Sequence, residues 1–303
     1  MRVLLSGATG FIGSYILQIL IAQSIPVSII LRKNSNTWRI ANLLNKVTVI
    51  NEAEEESDMI TEVVKFAPDV LINVSWFGVE NKYNNDQKQL EENLKLTQKL
   101  FTIAKLTNIK SFVATGSQAE YGPRNAVLDE TAPTLPSTLY GVAKLSAYHL
   151  LRTLCEKEKI RFAWLRIFST YGPKDNPDWF VPYLISQLLN GEVPKLTKGE
   201  QQWDYLYVKD AANAIIEVAK NNNAFGVFNL GSGQINSVRY LAETIRDTIN
   251  PNLSIDFGSI PYRQDQVMHL QADISRLKNE IHWQPKVDLK TGIENTIEWY
   301  KNG

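Results

Sequence analysis

Gly7-Ala8-Thr9-Gly10-Phe11-Ile12-Gly13 stands between a short apolar run, Val3 to Ser6, and an amphipathic stretch over about 11–23. A strand that turns through such a loop into a helix is the opening of a parallel α/β unit, and few other folds accommodate it. Gly7 allows the tight turn. Gly10 lets a pyrophosphate approach the backbone, and Gly13 lets the helix pack on the strand. The helix start offers free N–H groups and a positive dipole end to phosphates. Thr9, Phe11 and Ile12 complete the loop and are assigned to the cofactor with the three glycines. The competing reading is a glycine-rich turn without a ligand.

The same alternation continues down the chain. Strands are expected at Val27–Leu31, Val47–Ile50, Val70–Val74, Ser111–Thr115 and Phe162–Phe168, with helices near 58–66, 86–106 and 138–157. Strands alternating with helices predict an α/β fold of Rossmann type, a doubly wound parallel sheet. Near-continuous apolar strands fit a sheet covered on both faces. Prolines at 173, 177, 182 and 194 then break the pattern. A helix near 180–190 follows, with Trp203–Val208 and Val227–Leu230 read as additions to the sheet and Leu253–Phe257 as a strand. A smaller, discontinuous α/β substrate lobe is expected. Residues 1–171 and 202–230 form the nucleotide-binding domain, and 172–201 with 231–303 the lobe. The acidic run Glu52 to Asp58 reads as a solvated loop opening a helix.

Bulk properties exclude several functions. Lys plus Arg and Asp plus Glu are both 32, so the formal net charge is zero. No basic surplus points to nucleic acid or a membrane surface. Cys155 is the only cysteine, which fits a reducing compartment. The apolar run Phe11–Ala22 is too short to span a bilayer, and glycines interrupt a signal-peptide reading. The expectation is a soluble, cytoplasmic protein. His149, His269 and His282 form no cluster, so no metal is expected.

The end of the second strand bears on cofactor choice. A carboxylate there would hold the ribose hydroxyls of NAD, and an Arg would accept the 2′-phosphate of NADP. This chain has Leu31-Arg32-Lys33-Asn34-Ser35. Arg32, helped by Ser35, points to NADP; an ordinary basic loop is the alternative. Further on, STLYGVAK puts Tyr140 and Lys144 four apart, on one face of a helix. A nearby ammonium makes a phenol easier to deprotonate. A surface pair is the bland alternative. Ser117, at the carboxyl end of a strand, sits on the ligand edge of an open sheet.

With these motifs in order, the chain resembles the extended short-chain dehydrogenase/reductase family over nearly its full length. The resemblance rests on GATGFIG, Asn93, Ser117 before Tyr121-Gly122, Tyr140-Gly-Val-Ala-Lys144, Leu165 to Pro173, Asp204 to Asp210, Gly231-Ser-Gly233 and Trp283-Gln-Pro285. It implies Tyr140 as general acid or base, Lys144 as its electrostatic partner and holder of the nicotinamide ribose, Ser117 as a donor to the substrate oxygen, and Asn93 beside the cofactor. It also implies a nucleotide-diphosphate sugar as substrate, and a homodimer through the helices near 86–106 and 138–157. Those helices carry surplus apolar residues in Leu90, Leu94, Leu96, Leu145, Tyr148 and Leu151.

Departures from the family pattern narrow the reaction. Dehydratases carry acids just after the catalytic Ser or Thr, where this chain has Gln118 and Ala119, with Glu120 one residue too late. Simple hydride chemistry remains. Arg32 favours NADPH-dependent reduction of the C4 ketone of a nucleotide-linked 4-keto-6-deoxy sugar; the alternative is a C4 epimerase with bound NAD. Ser169 stands where many epimerases carry Asn, and Trp203 where many carry Arg. Arg263 matches a diphosphate clamp, with a surface pair to Asp265 as the other reading. Trp76 and Phe77 either wall the sugar pocket or pack the core. Substrate contacts are expected from Trp76, Ser117, Gln118, Ser169, Trp203 and Arg263.

Overall fold

A computed structural model describes residues 1–52, 56–264 and 266–302. The first half of the chain runs β1 (Val3–Ser6), α1 (Phe11–Ala22), β2 (Val27–Leu31), β3 (Thr48–Asn51), α2 (Glu56–Phe66), β4 (Val70–Asn73), α3 (Lys88–Leu106), β5 (Ser111–Ser117), β6 (Ala126–Leu128) and α4 (Leu139–Lys157). Then come β7 (Arg161–Ile167), β8 (Ser169–Tyr171), α5 (Phe180–Leu189), β9 (Lys195–Leu196), β10 (Gln202–Tyr207), α6 (Val208–Lys220) and β11 (Gly226–Leu230). The chain closes with β12 (Ile235–Ser237), α7 (Val238–Ile249), β13 (Asp256–Phe257), β14 (His269–Ala272), α8 (Ser275–Glu280) and α9 (Leu289–Asn302).

Seven parallel strands form the main sheet in the order β11-β7-β5-β4-β1-β2-β3. The chain winds outward from β1 to β3, then returns to β4 on the other side of β1. That reversal opens a crevice at the carboxyl ends of β1 and β4, where doubly wound sheets bind ligands. The β1, β4 and β5 strands are buried along their whole length. Alternate residues of β1 feed opposite layers, as the pleat requires. Val3 and Leu5 join a core with Ile16, Leu17, Ala211 and Ile215, whereas Leu4 packs with Leu71, Phe112, Ile103 and Cys155 on the other face. Truncating such a residue costs about 2–5 kcal/mol. Cys155 is therefore a core residue.

A third core gathers Tyr171, Leu184, Ile185, Tyr205, Tyr207, Leu241, Ile245, Ile293 and Ile297 from β8, α5, β10, α7 and α9. Here the expected arrangement needs correction. Val227–Leu230 does extend the main sheet, on β7. Trp203–Val208 does not. Its strand, β10, pairs with β8, β12 and β14 in a second sheet that β6 completes. An apolar strand pattern carries no information about which partner accepts it, and these partners are distant in sequence. Leu253–Phe257 shrinks to Asp256–Phe257, paired with β9, while Leu253 and Ile255 pack into the third core. Leu151 is core as well, so it is not part of the apolar surplus on α4. Residues 53–55 of the Glu52–Asp58 run, and Asp265, lie outside the described residues. No helix among the described residues is long and apolar enough to cross a membrane.

Candidate active site

A cleft of about 1500 Å³ opens over the carboxyl ends of β1, β4 and β5. It takes in the glycine loop, the ends of β2 and β3, the start of α4 and, from the second sheet, Trp203 and Tyr205. Each site residue expected from the sequence lines it: Gly7, Thr9, Gly10, Phe11, Ile12, Gly13, Arg32, Ser35, Trp76, Asn93, Ser117, Gln118, Tyr140, Lys144, Ser169, Trp203 and Arg263.

The glycine loop cannot be built from other residues. Gly7 has φ +89°, and a Cβ there would lie 2.6 Å from the Ser75 nitrogen. A Cβ on Gly13 would lie 2.0 Å from the Gly7 oxygen. The Gly10 N–H donates to the Gly7 oxygen at 3.0 Å, closing the turn. No side chain caps α1, so its leading N–H groups face the cleft unspent. A dinucleotide pyrophosphate fits this cradle.

Beside the loop, the exposed Arg32 lies in a turn closed by its own N–H to Ser35 Oγ at 3.1 Å and by the Ser35 N–H to the Arg32 oxygen at 2.9 Å. Two further residues went unassigned in the sequence. Glu52, just after β3, lines the cleft and pairs with Lys99 Nζ at 2.5 Å. Arg39 donates to the Lys174 oxygen (2.8 Å) and to the Thr9 oxygen (3.4 Å), tying the glycine loop to the segment after β8. The position of Glu52 at a strand's carboxyl end was the signal that could have found it.

Ser117, Tyr140 and Lys144 come together. Thr138 caps α4 by accepting the Gly141 N–H at 3.2 Å, which puts Tyr140 in the first turn. The Tyr140 N–H donates to the Asn84 oxygen, so the segment after β4 braces it. Ser117 and Tyr140 line the cleft together, with Ser117 a near neighbour of the phenol. Burial pushes the phenol up to about 12, against a smaller lowering by Ser117. Burial also pulls Lys144 down to about 7, with Glu120 acting weakly the other way.

This corrects one expectation. Burial, and not Lys144, sets the direction of the Tyr140 shift; the ammonium donates to the Thr115 oxygen at 2.9 Å and sits 3.7 Å from the centre of the Trp76 indole. It is 5.9 Å from the centre of the phenol ring, and desolvation prevails. Trp76 meets the Tyr140 ring edge-on at 6.3 Å. Asn93 is fully buried and turns its amide onto the segment after β4, accepting from the Phe77 N–H at 2.7 Å.

Glu120 does not serve the cleft. Its carboxylate accepts from the Ser117 N–H, Trp164 Nε1 and Arg166 Nε at 2.9, 3.0 and 2.7 Å. Asp204 is likewise spent, accepting from Ser232, Gly233 and Ala272 N–H groups to fold the Gly231-Ser-Gly233 turn. On the far wall the Trp203 indole donates to the Val267 oxygen at 3.1 Å. Arg263 is exposed. Tyr205, buried and lining the cleft, has a hydroxyl with no partner among the described residues. No group of three or more His, Cys, Asp or Glu suited to a metal ion comes together among those residues.

Residues 3–231 match the family described as NAD dependent epimerase/dehydratase. The chain is 24% identical to a UDP-glucose 4-epimerase of Mycolicibacterium smegmatis, across 100% of this chain and 99% of that one. Among solved structures it resembles a UDP-N-acetylglucosamine 4-epimerase from Methanobrevibacter ruminantium M1 bound to UDP-N-acetylmuramic acid. That match has a TM-score of 0.87 and 27% identity, covering 99% and 98% of the two chains. A dTDP-glucose 4,6-dehydratase of Bacillus anthracis in complex with NAD shares the fold, with TM-score 0.86 at 19% identity over 100% and 97%.

Proposed function

The chain belongs to the NAD dependent epimerase/dehydratase family, and from that premise we propose that it moves a hydride at C4 of a nucleotide-diphosphate-linked hexose. The observation that carries the reading is that Ser117, Tyr140 and Lys144 line the same cleft as the glycine loop. The loop and the α1 N-terminus would hold the cofactor pyrophosphate, Arg32 or Glu52 the adenosine end, and Lys144 the nicotinamide ribose. When bound, the nicotinamide ring supplies the hydride acceptor or donor at the sugar carbon. Ser117 donates to O4 and Tyr140 exchanges the O4 proton. Trp76 keeps water from that carbon. Arg263 holds the diphosphate, and Gln118, Ser169 and Trp203 line the path between. The part of the chain after Tyr171, apart from α6 and β11, is the sugar-nucleotide side.

The first reading is a C4 epimerase with tightly bound NAD. It is supported by the 4-epimerases among the relatives and structural neighbours. Gln118 and Ala119, with Glu120 spent on Arg166, leave no acid next to Ser117 for a dehydratase's elimination step. A second reading, an NADPH-dependent C4 ketoreductase acting on 4-keto-6-deoxy sugars, is favoured by Arg32 at the end of β2, where no acid stands. A phenol held near 12 is protonated at neutral pH, which suits donation to a reduced ketone. The half-buried Leu90, Leu94, Leu145 and Tyr148 on α3 and α4 support a homodimer.

The test is to identify the cofactor released from purified protein and to incubate the protein with UDP-, dTDP-, GDP- and CDP-hexoses. Inversion at C4 without net cofactor consumption is expected. NADPH oxidation with 4-keto sugar nucleotides and no inversion selects the second reading. No change at C4 in any substrate overturns both.

A further inference from the structure

Lys144 is 3% exposed and pairs with no carboxylate among the described residues. The groups facing it are few. The Thr115 carbonyl of β5 accepts one hydrogen bond. Tyr140 lies one turn back on the same helix, and Glu120, just past β5, has its carboxylate committed to Arg166, Trp164 and the Ser117 N–H. What remains is Trp76, whose indole face lies 3.7 Å from Nζ. A buried ammonium without a counter-charge deprotonates. An indole face under it is a substitute counter-charge, and the contribution is largest where water is excluded.

The indole does not rest there by chance packing. Its Nε1–H donates to Gln89 Oε1 at 2.9 Å. Gln89 is fully buried, and the same oxygen accepts from Asn93 Nδ2 at 3.1 Å. The Gln89 amide nitrogen donates back to the Gly78 and Tyr83 oxygens. Two α3 side chains thus pin the segment carrying Trp76, and the indole plane is fixed with one face to Lys144 and its ring edge-on to Tyr140.

We propose that Trp76, held by Gln89, is a positioning residue: its indole face holds Lys144 charged and its ring spaces the lysine from Tyr140. The inference rests on the reading of Tyr140 and Lys144 as the reacting pair. It adds that the charge of that pair is supplied by an aromatic face where a carboxylate would otherwise be needed. Protonated Lys144 is the form that binds ribose hydroxyls as a donor. Activity therefore falls as pH rises through the Lys144 midpoint, and it should fall at lower pH once the indole is gone.

The experiment follows the Lys144 Nζ resonance by NMR against pH in protein with isotopically labelled lysine, assigned by its loss in Lys144→Gln. Trp76→Leu is expected to lower the midpoint by about one pH unit, a tenfold loss in proton affinity. Trp76→Phe, which keeps a weaker face, should lower it less, and Gln89→Leu should lower it by releasing the indole. Should Trp76→Leu fail to fold, the other two variants decide. An unmoved midpoint in the folded variants overturns the proposal. The readout needs no substrate. A lowered midpoint with no C4 chemistry on any sugar nucleotide would sink the proposed function alone; C4 turnover with an unmoved midpoint would sink this inference alone.

Discussion

Two buried cations, Arg166 and Lys144, flank the carboxyl end of β5, and they are treated in opposite ways. Arg166 and Glu120 form an ion pair at 2.7 Å, with side-chain exposures of 4% and 0%. The carboxylate accepts two more hydrogen bonds, and the guanidinium also lies over the Tyr121 ring. Burial alone would lower Arg166, but Glu120 and Tyr121 together more than offset it and the pKa is raised. Lys144, on the cleft side, is as deeply buried and has only a carbonyl and an indole, so burial prevails and pulls it down to about 7. A charge with every partner in place holds structure together. A charge left short of partners, at the mouth of a cleft, is held ready for a ligand.

The contrast can be broken most forcefully at Tyr140. Tyr140→Phe removes the proton donor and leaves the fold, so turnover should fall roughly 10²–10⁴-fold while cofactor still binds. A variant retaining more than about a tenth of wild-type kcat would assign the proton to another group. On the structural side, Glu120→Ala leaves the Arg166 charge buried alone. It should cost about 3–5 kcal/mol in urea unfolding. Lys144→Met, in contrast, should be neutral or stabilising while abolishing turnover. Equal destabilisation by the two substitutions would erase the distinction drawn here.

Arg32 extends the comparison to an exposed charge. If it reads a 2′-phosphate, Arg32→Ala should lower kcat/KM for NADPH by about 10- to 150-fold, the worth of a charge-assisted bond of roughly 1.5–3 kcal/mol. NADH should be unaffected. Equal use of both cofactors by the wild type would favour the epimerase reading. The smallest effect is in the pH dependence of stability without cofactor. The folded pKa of Lys144 is lowered, so between about 7 and the ordinary lysine value of 10.5 the unfolded chain holds the extra proton. Stability should therefore rise with pH across that window. In Lys144→Met this part of the rise should vanish. Arg166, raised further above this window, should contribute nothing there.

Much of this was legible in the sequence, for a physical reason. The inner strands β1, β4 and β5 of the main sheet are buried along their whole length, so each begins as an apolar run, with helices between them in the chain. Val3–Ser6, Val27–Leu31 and the cleft residues around them follow from that pattern and from the glycine loop. The second sheet was not legible. Which partner Trp203–Tyr207 takes depends on register with β8, β12 and β14, and no local pattern encodes that pairing. The direction of the Lys144 ammonium was hidden for the same reason. Four-residue spacing puts Tyr140 and Lys144 on one helix face, but Trp76 arrives from the segment after β4. Glu52 was passed over because a carboxylate in an acidic run looks like a solvated one.

The central claim is that Ser117, Tyr140 and Lys144 act on C4 of a nucleotide-linked hexose. Its most direct test uses sugar nucleotides bearing deuterium at C4, followed by NMR with wild-type protein and Tyr140→Phe. The account predicts that wild type breaks the C4–deuterium bond, with the label appearing on the cofactor or returning to an inverted C4, and that Tyr140→Phe does neither at a comparable rate. Tight binding of the sugar nucleotides with the C4–deuterium bond left intact, or equal rates in the two proteins, would contradict it.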